Sequence, residues 1–404
     1  MSTASEIYTE LLELKTRIGF EEISELDIAC KSTIHRFLSN EPALSNVPII
    51  KIDAVLDYTY ERINIGNWKD VKPYLRKTMT IASYIKLIAC IKSIEPSSHL
   101  DVLHLQKLFK IIDHGLLFGC PIEKEPQLLQ KCATILNKHN CEQFTYMKLS
   151  SSAQNQDDIQ NIDSSCHQGN EIEVVDCPSM EYFYKEHILT QKPVVLTNCI
   201  QHWPALTKWT DQSYLIKLAG LRTVPVELGS KYTDAEWTQK LMTLGDFIKQ
   251  HIFTTEGPTG YLAQYQLFDH ISELKNDICE PEYCCFSDNN EPVDINAWFG
   301  PKGTVSPLHH DPKKNLLAQV VGEKRIYLFA PSDSELLYPH DDELLNNTAR
   351  VDPRCPDLQL YPKYKDAKAQ ICILKPGQML YIPPKWWHFV ESLSISFSVS
   401  FWWE

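Results

Sequence analysis

The feature that most constrains the fold of this chain is a change of hydrophobic periodicity near its middle. Before residue 148, apolar side chains recur at intervals of three and four, as in Ile7, Leu11, Leu14 and Ile18. This spacing places them on one face of an α-helix. After residue 171, apolar residues fall instead in short β-type runs separated by proline and glycine. A chain of 404 residues with two such patterns is predicted to form two domains.

The first part, residues 1–148, is predicted to be an all-α domain of about six or seven helices. The helical spacing continues around Tyr84–Ile94 and through Leu103–Leu117, and turn signals such as Glu95-Pro96-Ser97-Ser98 separate the stretches. No fixed-period repeat is visible in this part of the sequence, so no helical-repeat family is indicated. One hypothesis for the function of this domain is that it binds other proteins.

Residues 149–170 are polar and are predicted to form a flexible linker, because they offer few apolar side chains to bury. The remainder, residues 171–404, is predicted to be a mainly-β sandwich or jelly roll. Helical patches around Met180–Thr190 and Leu244–Phe253 are expected to pack outside it. The predicted strands are Pro193–Thr197, Thr223–Leu228, Leu316–Val321, Arg325–Phe329, Gln370–Leu374, Met379–Ile382 and Ile395–Phe401.

Charge and composition exclude several classes of partner. The net charge of −13 argues against binding to duplex nucleic acid and favours a basic protein partner. Thirteen cysteines occur without a Cys-x-x-Cys pair, which disfavours a zinc module and favours reduced thiols. No run approaches the roughly 18 apolar residues of a membrane span. Because the Met1–Ser5 start also lacks a leader, we expect an intracellular protein.

The strongest chemical signal is the segment from Ser306 to Pro312, Ser-Pro-Leu-His-His-Asp-Pro. Side chains at positions i and i+2 of a strand point to the same face, so His309 and Asp311 are predicted to project together, away from His310. An imidazole and a carboxylate so arranged are two corners of the 2-His-1-carboxylate triad of non-haem iron(II) oxygenases. Such a pair also occurs at solvated strand ends, so the assignment depends on a third ligand.

His388 is the predicted third ligand. It follows Pro376-Gly-Gln-Met-Leu-Tyr-Ile-Pro-Pro-Lys-Trp-Trp387, in which a turn leads through a strand and a Pro-Pro step to the histidine. A histidine after two tryptophans is more often a packed core residue, but both segments together indicate a metal site. Three protein ligands on one face of an octahedral iron leave positions open for a bidentate co-substrate and O₂.

Lys324 is the candidate for binding the far carboxylate of that co-substrate. We interpret Asn315–Val321, a turn at Gly322-Glu323 and Lys324–Phe329 as a β-hairpin. A lysine that begins a buried strand is costly unless it meets an anion. The alternative is a surface lysine at the hairpin edge. Asn315 is either a turn residue or a donor to the co-substrate.

Together these segments resemble the JmjC (jumonji) family of 2-oxoglutarate oxygenases, in which a jelly-roll, cupin-like double-stranded β-helix carries the site. The resemblance covers about residues 171–404 and implies that fold for them. His310 departs from the family pattern, which has glutamine there, and we expect no loss of activity from it. The matching segments include Lys192-Pro-Val-Val-Leu-Thr-Asn, Gly260-Tyr-Leu-Ala-Gln, Asn296-Ala-Trp-Phe-Gly-Pro, His309-His-Asp-Pro, Trp386-Trp-His and Ser398-Val-Ser-Phe-Trp-Trp.

The resemblance implies a role for each candidate residue. Fe(II) is the implied metal, and 2-oxoglutarate and O₂ are the implied co-substrates. Trp298 and Glu227 are plausible walls of the substrate pocket, because an aromatic face and a carboxylate suit a guanidinium; Trp298 as a core residue and Glu227 as a solvated one are the alternatives. The implied metal ligands are His309, Asp311 and His388, and the implied 2-oxoglutarate residues are Tyr261, Asn315 and Lys324, with Ser306 and Trp402 assisting.

The activity predicted from this resemblance is hydroxylation of an arginine side-chain carbon in a basic protein or peptide. Demethylation of methyl-lysine in histone tails is the alternative with the same chemistry. The sequence shows neither a zinc module nor a basic patch, so hydroxylation is favoured over demethylation. A peptidase role lacks a His-Glu-x-x-His motif. A non-catalytic scaffold with a vestigial oxygenase fold is opposed by the intact ligand set. Nucleus or cytoplasm is the expected location, with the nucleus favoured by the resemblance.

Overall fold

The computed structural model describes residues 2–19, 21, 28–39, 48–140, 169–229, 237–254, 257–289, 291–342 and 345–404. Within these ranges, helices make up the chain up to residue 140 and strands begin at residue 170. The predicted linker at 149–170 lies outside the described residues except for its last two positions.

The N-terminal half is all-α, as predicted. Its central helix, α4, packs against the other five α-helices described in this half and is buried on most sides from Thr78 to Ile91, as expected of a helix at the centre of a bundle. Pro73 opens α4, and the side chain of Asp101 caps α5 by accepting from the His104 N–H. The helices are α1 (Ala4–Glu13), α2 (Ile28–Leu38), α3 (Ile49–Ile63), α4 (Pro73–Lys92), α5 (Val102–Phe118) and α6 (Leu128–Asn140).

The C-terminal half consists mainly of strands, which form two sheets. The strands are β1 (Asn170–Glu171), β2 (Val174–Asp176), β3 (Val194–Thr197), β4 (Thr223–Leu228), β5 (Thr238–Thr243), β6 (Gly260–Tyr265), β7 (Asp294–Gly300), β8 (Val305–His310), β9 (Lys314–Val321), β10 (Lys324–Phe329), β11 (Gln370–Leu374), β12 (Met379–Ile382), β13 (Trp387–Ser392) and β14 (Ser396–Trp403). Within the described residues, six short α-helices lie between them: α7 (Met180–Phe183), α8 (Ala205–Lys208), α9 (Gln212–Ala219), α10 (Leu244–Phe247), α11 (Leu267–His270) and α12 (Ser272–Lys275).

The strand order defines the two layers of the β domain. One sheet has the order β1-β11-β10-β13-β8, and the other has the order β2-β3-β12-β9-β14-β7-β6-β4-β5. An apolar cluster that includes Leu317, Ile326, Leu380 and Val390 draws on strands of both sheets and forms the core between them. This arrangement confirms the predicted β-rich, cupin-like fold class.

The β-hairpin predicted around Gly322-Glu323 is wrong. β9 belongs to the nine-stranded sheet and β10 to the five-stranded sheet, so the turn carries the chain from one layer to the other. The turn is held by a neighbouring segment: the Glu323 N–H donates to Ser394 Oγ and the Leu393 N–H donates to the Glu323 carbonyl. Gly322 has a φ of +70°, and a Cβ there would lie 1.9 Å from the Ile395 carbonyl oxygen, so this crossing requires glycine.

The helical half contacts the β half through a buried ion pair. Asp113 of α5 meets Arg222, the residue before β4, with 2.7 Å between Oδ1 and Nη2. Both side chains are almost fully buried. The other oxygen of Asp113 accepts from the Thr223 N–H at the start of β4. Sequence inspection did not reveal this contact, because its two residues are 109 positions apart.

Candidate metal centre

β8 and β13 are neighbours in the five-stranded sheet and bring the three predicted ligands together. His309 is paired with His388 across the ladder, and their ring centroids are 4.2 Å apart. β8 ends at His310, so Asp311 is the first residue beyond the strand rather than part of it. Asp311 Oδ2 lies 4.0 Å from His309 Nε2 and 3.5 Å from His388 Nε2. One potential ligand atom from each of the three residues lies within 4.8 Å of the others.

The backbone around each histidine determines which ring nitrogen faces the cluster. His309 Nδ1 lies 2.7 Å from the Pro307 carbonyl oxygen, and His388 Nδ1 lies 3.0 Å from that of Trp386. Because a carbonyl only accepts, each Nδ1 carries the hydrogen and each Nε2 presents a lone pair. This arrangement is typical of histidines that bind a metal.

The electrostatics of the cluster also suit a divalent cation. Burial lowers the pKa of His309 to about 4, and the neighbouring His388 acts in the same direction. Burial acts to raise the pKa of Asp311, but the adjacent histidines outweigh it and hold this pKa at about 2. At neutral pH the cluster therefore contains an ionised carboxylate and a neutral His309, which need not lose a proton to bind a metal.

His310 points away from this cluster, as the strand alternation predicts. Its ring packs edge-on against Trp387, with 4.7 Å between ring centroids and an interplanar angle of 84°. Trp387 is the strand partner of His310 and precedes the ligand His388, so the two rings lie on the other face of the sheet.

Lys324 lies in the same pocket and has no carboxylate partner among the described residues. Its side chain is 1% exposed, and Nζ lies 3.2 Å from the Tyr261 hydroxyl. Burial lowers the pKa of Lys324 to about 7, the response of a buried amine that lacks an anion. A dicarboxylate with one end at the cluster and the other at Lys324 would supply that anion, so the residues present fit Fe(II) and 2-oxoglutarate.

Two further polar atoms in the pocket lack partners within the described part of the chain. Asn315 Oδ1 and Trp402 Nε1 are buried and make no hydrogen bond. Their residues face each other in the β9–β14 ladder. Ser306 also lines the pocket. Buried polar groups are normally satisfied, so these atoms provide positions for the polar groups of a ligand.

The two predicted substrate residues are placed differently. Trp298 lines the pocket, donates from Nε1 to Ser400 Oγ at 2.9 Å and packs against Tyr261, with 6.2 Å between ring centroids. Glu227 pairs with Tyr261 in the β4–β6 ladder but does not line the pocket. Its carboxylate accepts from Trp237 Nε1 at 3.2 Å, and burial raises its pKa. The structure therefore brings together all the predicted site residues except Glu227.

Sequence inspection missed the apolar lining of the pocket. Leu317, Ile382 and Val390 complete its wall and give no chemical signal of their own. Leu317 and Val390 could have been found, because each lies two positions after a predicted site residue, Asn315 or His388, on the same strand.

Comparison with known proteins places this geometry in a family. Residues 180–404 match the Cupin-like domain family. Lysine-specific demethylase 8 of Danio rerio is 41% identical over 356 residues, which cover 86% of each chain. Jumonji C domain-containing protein 5 of Drosophila melanogaster is 41% identical over 359 residues, covering 87% of this chain and 86% of that protein. The chain belongs to the JmjC oxygenase family.

A more distant JmjC relative is the human Bifunctional peptidase and (3S)-lysyl hydroxylase JMJD7, which is 27% identical over 258 residues, 56% of this chain and 82% of that protein. The zebrafish and fly matches are longer than the β domain, so they extend into the helical half. JmjC oxygenases in general depend on Fe(II) and 2-oxoglutarate, and the His309, Asp311 and His388 cluster offers the matching donor set. No helix in the described ranges is long and apolar enough to cross a membrane.

Proposed function

We propose that this JmjC chain uses Fe(II), 2-oxoglutarate and O₂ to hydroxylate a side-chain carbon of arginine in a protein substrate. One observation carries the proposal: a His-Asp-His cluster shares a small pocket with a buried lysine that lacks an anion. A metal site alone would not need Lys324, and an anion site alone would not need the three ligands. Their combination suits a co-substrate that has one chelating end and one free carboxylate.

Each residue then has a role in binding or orientation. His309, Asp311 and His388 would hold Fe(II), and Lys324 with Tyr261 would bind the far carboxylate of 2-oxoglutarate. With metal and co-substrates bound, the site would supply oxidation of a substrate C–H bond, with release of succinate and CO₂. The apolar wall of Leu317, Ile382 and Val390 would exclude water and strengthen the charge interactions inside.

Arginine is proposed as the target because of the residues near the pocket. Trp298 offers an aromatic face to a cation, and Glu227, whose carboxylate accepts from Trp237, is the strand partner of the pocket residue Tyr261. Demethylation of a methylated lysine is the second candidate, and the name of the zebrafish relative favours it. Hydroxylation at a lysine carbon is the third candidate, because the name of the human relative includes a (3S)-lysyl hydroxylase. A protein substrate is common to all three candidates. We further propose a location in the nucleus or cytoplasm.

The test is an anaerobic titration of the purified protein with Fe(II) and 2-oxoglutarate, followed by O₂ and mass spectrometry. Arginine peptides and methyl-lysine peptides are incubated side by side. His309→Ala serves as the negative control, and His310→Gln is the matched control on the other face of the same sheet. A gain of one oxygen on arginine, absent with His309→Ala, is the expected result.

Other outcomes would redirect or refute the proposal. Loss of a methyl group with release of formaldehyde would establish the demethylase instead. Failure to bind either Fe(II) or 2-oxoglutarate would contradict the oxygenase assignment and leave a scaffold role. Retention of 2-oxoglutarate binding by Lys324→Met would contradict the role given to that lysine.

A further inference from the structure

A cleft of about 900 Å³ separates the helical half from the nine-stranded sheet, within the size range of protein ligand sites. One wall is helical and includes Thr80 of α4 and the turn Gly119-Cys120-Pro121 after α5. The metal pocket is much smaller. A macromolecular substrate therefore needs a larger surface next to it.

The cleft and the metal pocket are neighbours that share Trp402 as a wall. On β7, Asp294 and Asn296 line the cleft while Trp298 lines the metal pocket. Since alternate residues of a strand share a face, these three side chains form one row along the inner face of the sheet. The cleft therefore lies next to the metal pocket, on the side of the helical half.

The opposite end of the cleft follows a strand edge. Gln239, Lys240 and Leu241 of β5 all line it. Successive side chains of a strand point to opposite faces, so three consecutive lining residues mean that the cleft runs along the edge of β5. β5 is the last strand of its sheet and pairs only with β4 among the described residues. Its outer backbone edge can accept an extended polypeptide as an added strand.

The charges in the cleft indicate which polypeptide would fit. Two carboxylates line it, and each has a lysine partner: Asp294 lies 2.7 Å from Lys313, and Asp269 lies 3.7 Å from Lys275. Arg76, on the helical wall, and Lys240, on the β5 wall, line the cleft too, and neither forms an ion pair within the described ranges. The cleft thus presents two uncompensated positive charges from opposite walls, although the chain as a whole carries a net charge of −13.

We propose that the interdomain cleft binds the substrate polypeptide in an extended conformation along β5, with acidic residues of the substrate between Arg76 and Lys240. The inference rests on the proposed function, because it places the target side chain at Trp402, the residue shared by the cleft and the metal pocket. The helical half is then one wall of the substrate site. With this arrangement, the enzyme would select substrates in which acidic residues flank the basic target side chain.

The test uses the full chain, loaded anaerobically with Fe(II) and 2-oxoglutarate, and a library of short peptides with a fixed central arginine and randomised flanks. Bound peptides are identified by mass spectrometry, and the affinity of an enriched peptide is measured by fluorescence anisotropy. The variants are Arg76→Glu, Lys240→Glu and their combination. Arg62→Glu, an exposed charge reversal on α3 outside the cleft, is the matched control.

We expect enrichment of aspartate and glutamate in the flanks. The double variant should bind the enriched peptide about tenfold more weakly, and Arg62→Glu should bind it like the wild type. A peptide with lysine in place of the acidic residues should bind the double variant better than it binds the wild type. Unchanged Fe(II) and 2-oxoglutarate binding by the variants would show that their fold is intact.

Three results would overturn the docking site: no bound peptide, no acidic enrichment, or equal affinity of the wild type and the double variant. The oxygenase proposal is judged separately, by oxygen gain on the bound peptide. Peptides that bind through Arg76 and Lys240 but are never oxidised would refute that activity and leave the docking site standing. Peptides that are oxidised but bind the wild type and the Arg76 and Lys240 variants equally well would refute the docking site and support the oxygenase activity.

Discussion

Replacement of Asp113 by leucine tests how firmly the helical half is attached to the β half. Asp113 Oδ1 accepts from Arg222 Nε at 2.8 Å, and Oδ2 accepts from the Thr223 N–H at 2.5 Å. Arg222 also donates from Nη2 to the His270 carbonyl at 2.7 Å. The side chain of Arg222 is 1% exposed, so Asp113→Leu would leave a buried guanidinium without its hydrogen-bonded carboxylate, with Glu273 as the weaker remaining counter-charge.

The magnitude follows from that burial. Removing one partner of a buried ion pair costs about 3–5 kcal/mol, because the remaining charge stays desolvated. Replacing both partners by apolar residues of similar size costs far less. The double variant Asp113→Leu/Arg222→Met should therefore recover most of the loss. It should remain within about 2 kcal/mol of the wild type, since the Thr223 N–H and the His270 carbonyl each lose a hydrogen bond.

The assay is urea unfolding of the wild type, both single variants and the double variant, followed by far-ultraviolet circular dichroism and by tryptophan fluorescence. Two probes are needed because the halves of a loosened chain can unfold separately. The expected coupling free energy between the two residues is on the order of 3 kcal/mol. A loss below about 1 kcal/mol for Asp113→Leu, or a double variant no more stable than the single one, would refute the reasoning.

The remaining predictions concern the pocket and the turn that switches sheets. Lys324→Met should abolish 2-oxoglutarate binding, measured by calorimetry, yet stabilise the ligand-free protein by a few kcal/mol, since a buried amine is replaced by an apolar chain of similar size; a less stable variant would contradict this. The pKa of Lys324 is about 7 when folded, against a usual 10.5. Between these pH values the unfolded chain binds more protons, so wild-type stability should rise with pH relative to Lys324→Met, and parallel curves would contradict the assignment. In the same window 2-oxoglutarate should bind the wild type more weakly as pH rises, because the ammonium loses its proton. Gly322→Ala should destabilise the chain by more than about 1 kcal/mol in urea unfolding, since its Cβ would meet the Ile395 carbonyl at 1.9 Å; an unchanged midpoint would refute the close approach.

The candidate metal ligands were accessible from the sequence because their geometry is local. His309 and Asp311 are two positions apart near a strand end, and His388 follows a Pro-Pro step that lies between β12 and β13. The alternation that separates His310 from them is a property of any extended chain. Lys324 was found for a related reason: a charged residue at the start of an apolar run signals a burial cost that some partner must offset.

Other features depended on the folded arrangement. A short turn between two strands is typical of a hairpin, yet Gly322-Glu323 crosses between sheets. β9 pairs with β12 and β14 in one sheet, and β10 pairs with β11 and β13 in the other. Glu227 carried a role implied by resemblance, but the structure turns its carboxylate to Trp237. No local pattern distinguishes these outcomes.

The sequence by itself determined the two fold classes, the positions of seven of the fourteen described strands and the residues able to bind a metal, because hydrophobic periodicity and strand alternation act over a few neighbouring residues. Only the tertiary structure decided the pairing of Asp113 with Arg222, the cleft between the halves and the uncompensated charges of Arg76 and Lys240. These depend on contacts between residues far apart in the chain, whose burial and partners are settled only when the two halves pack together.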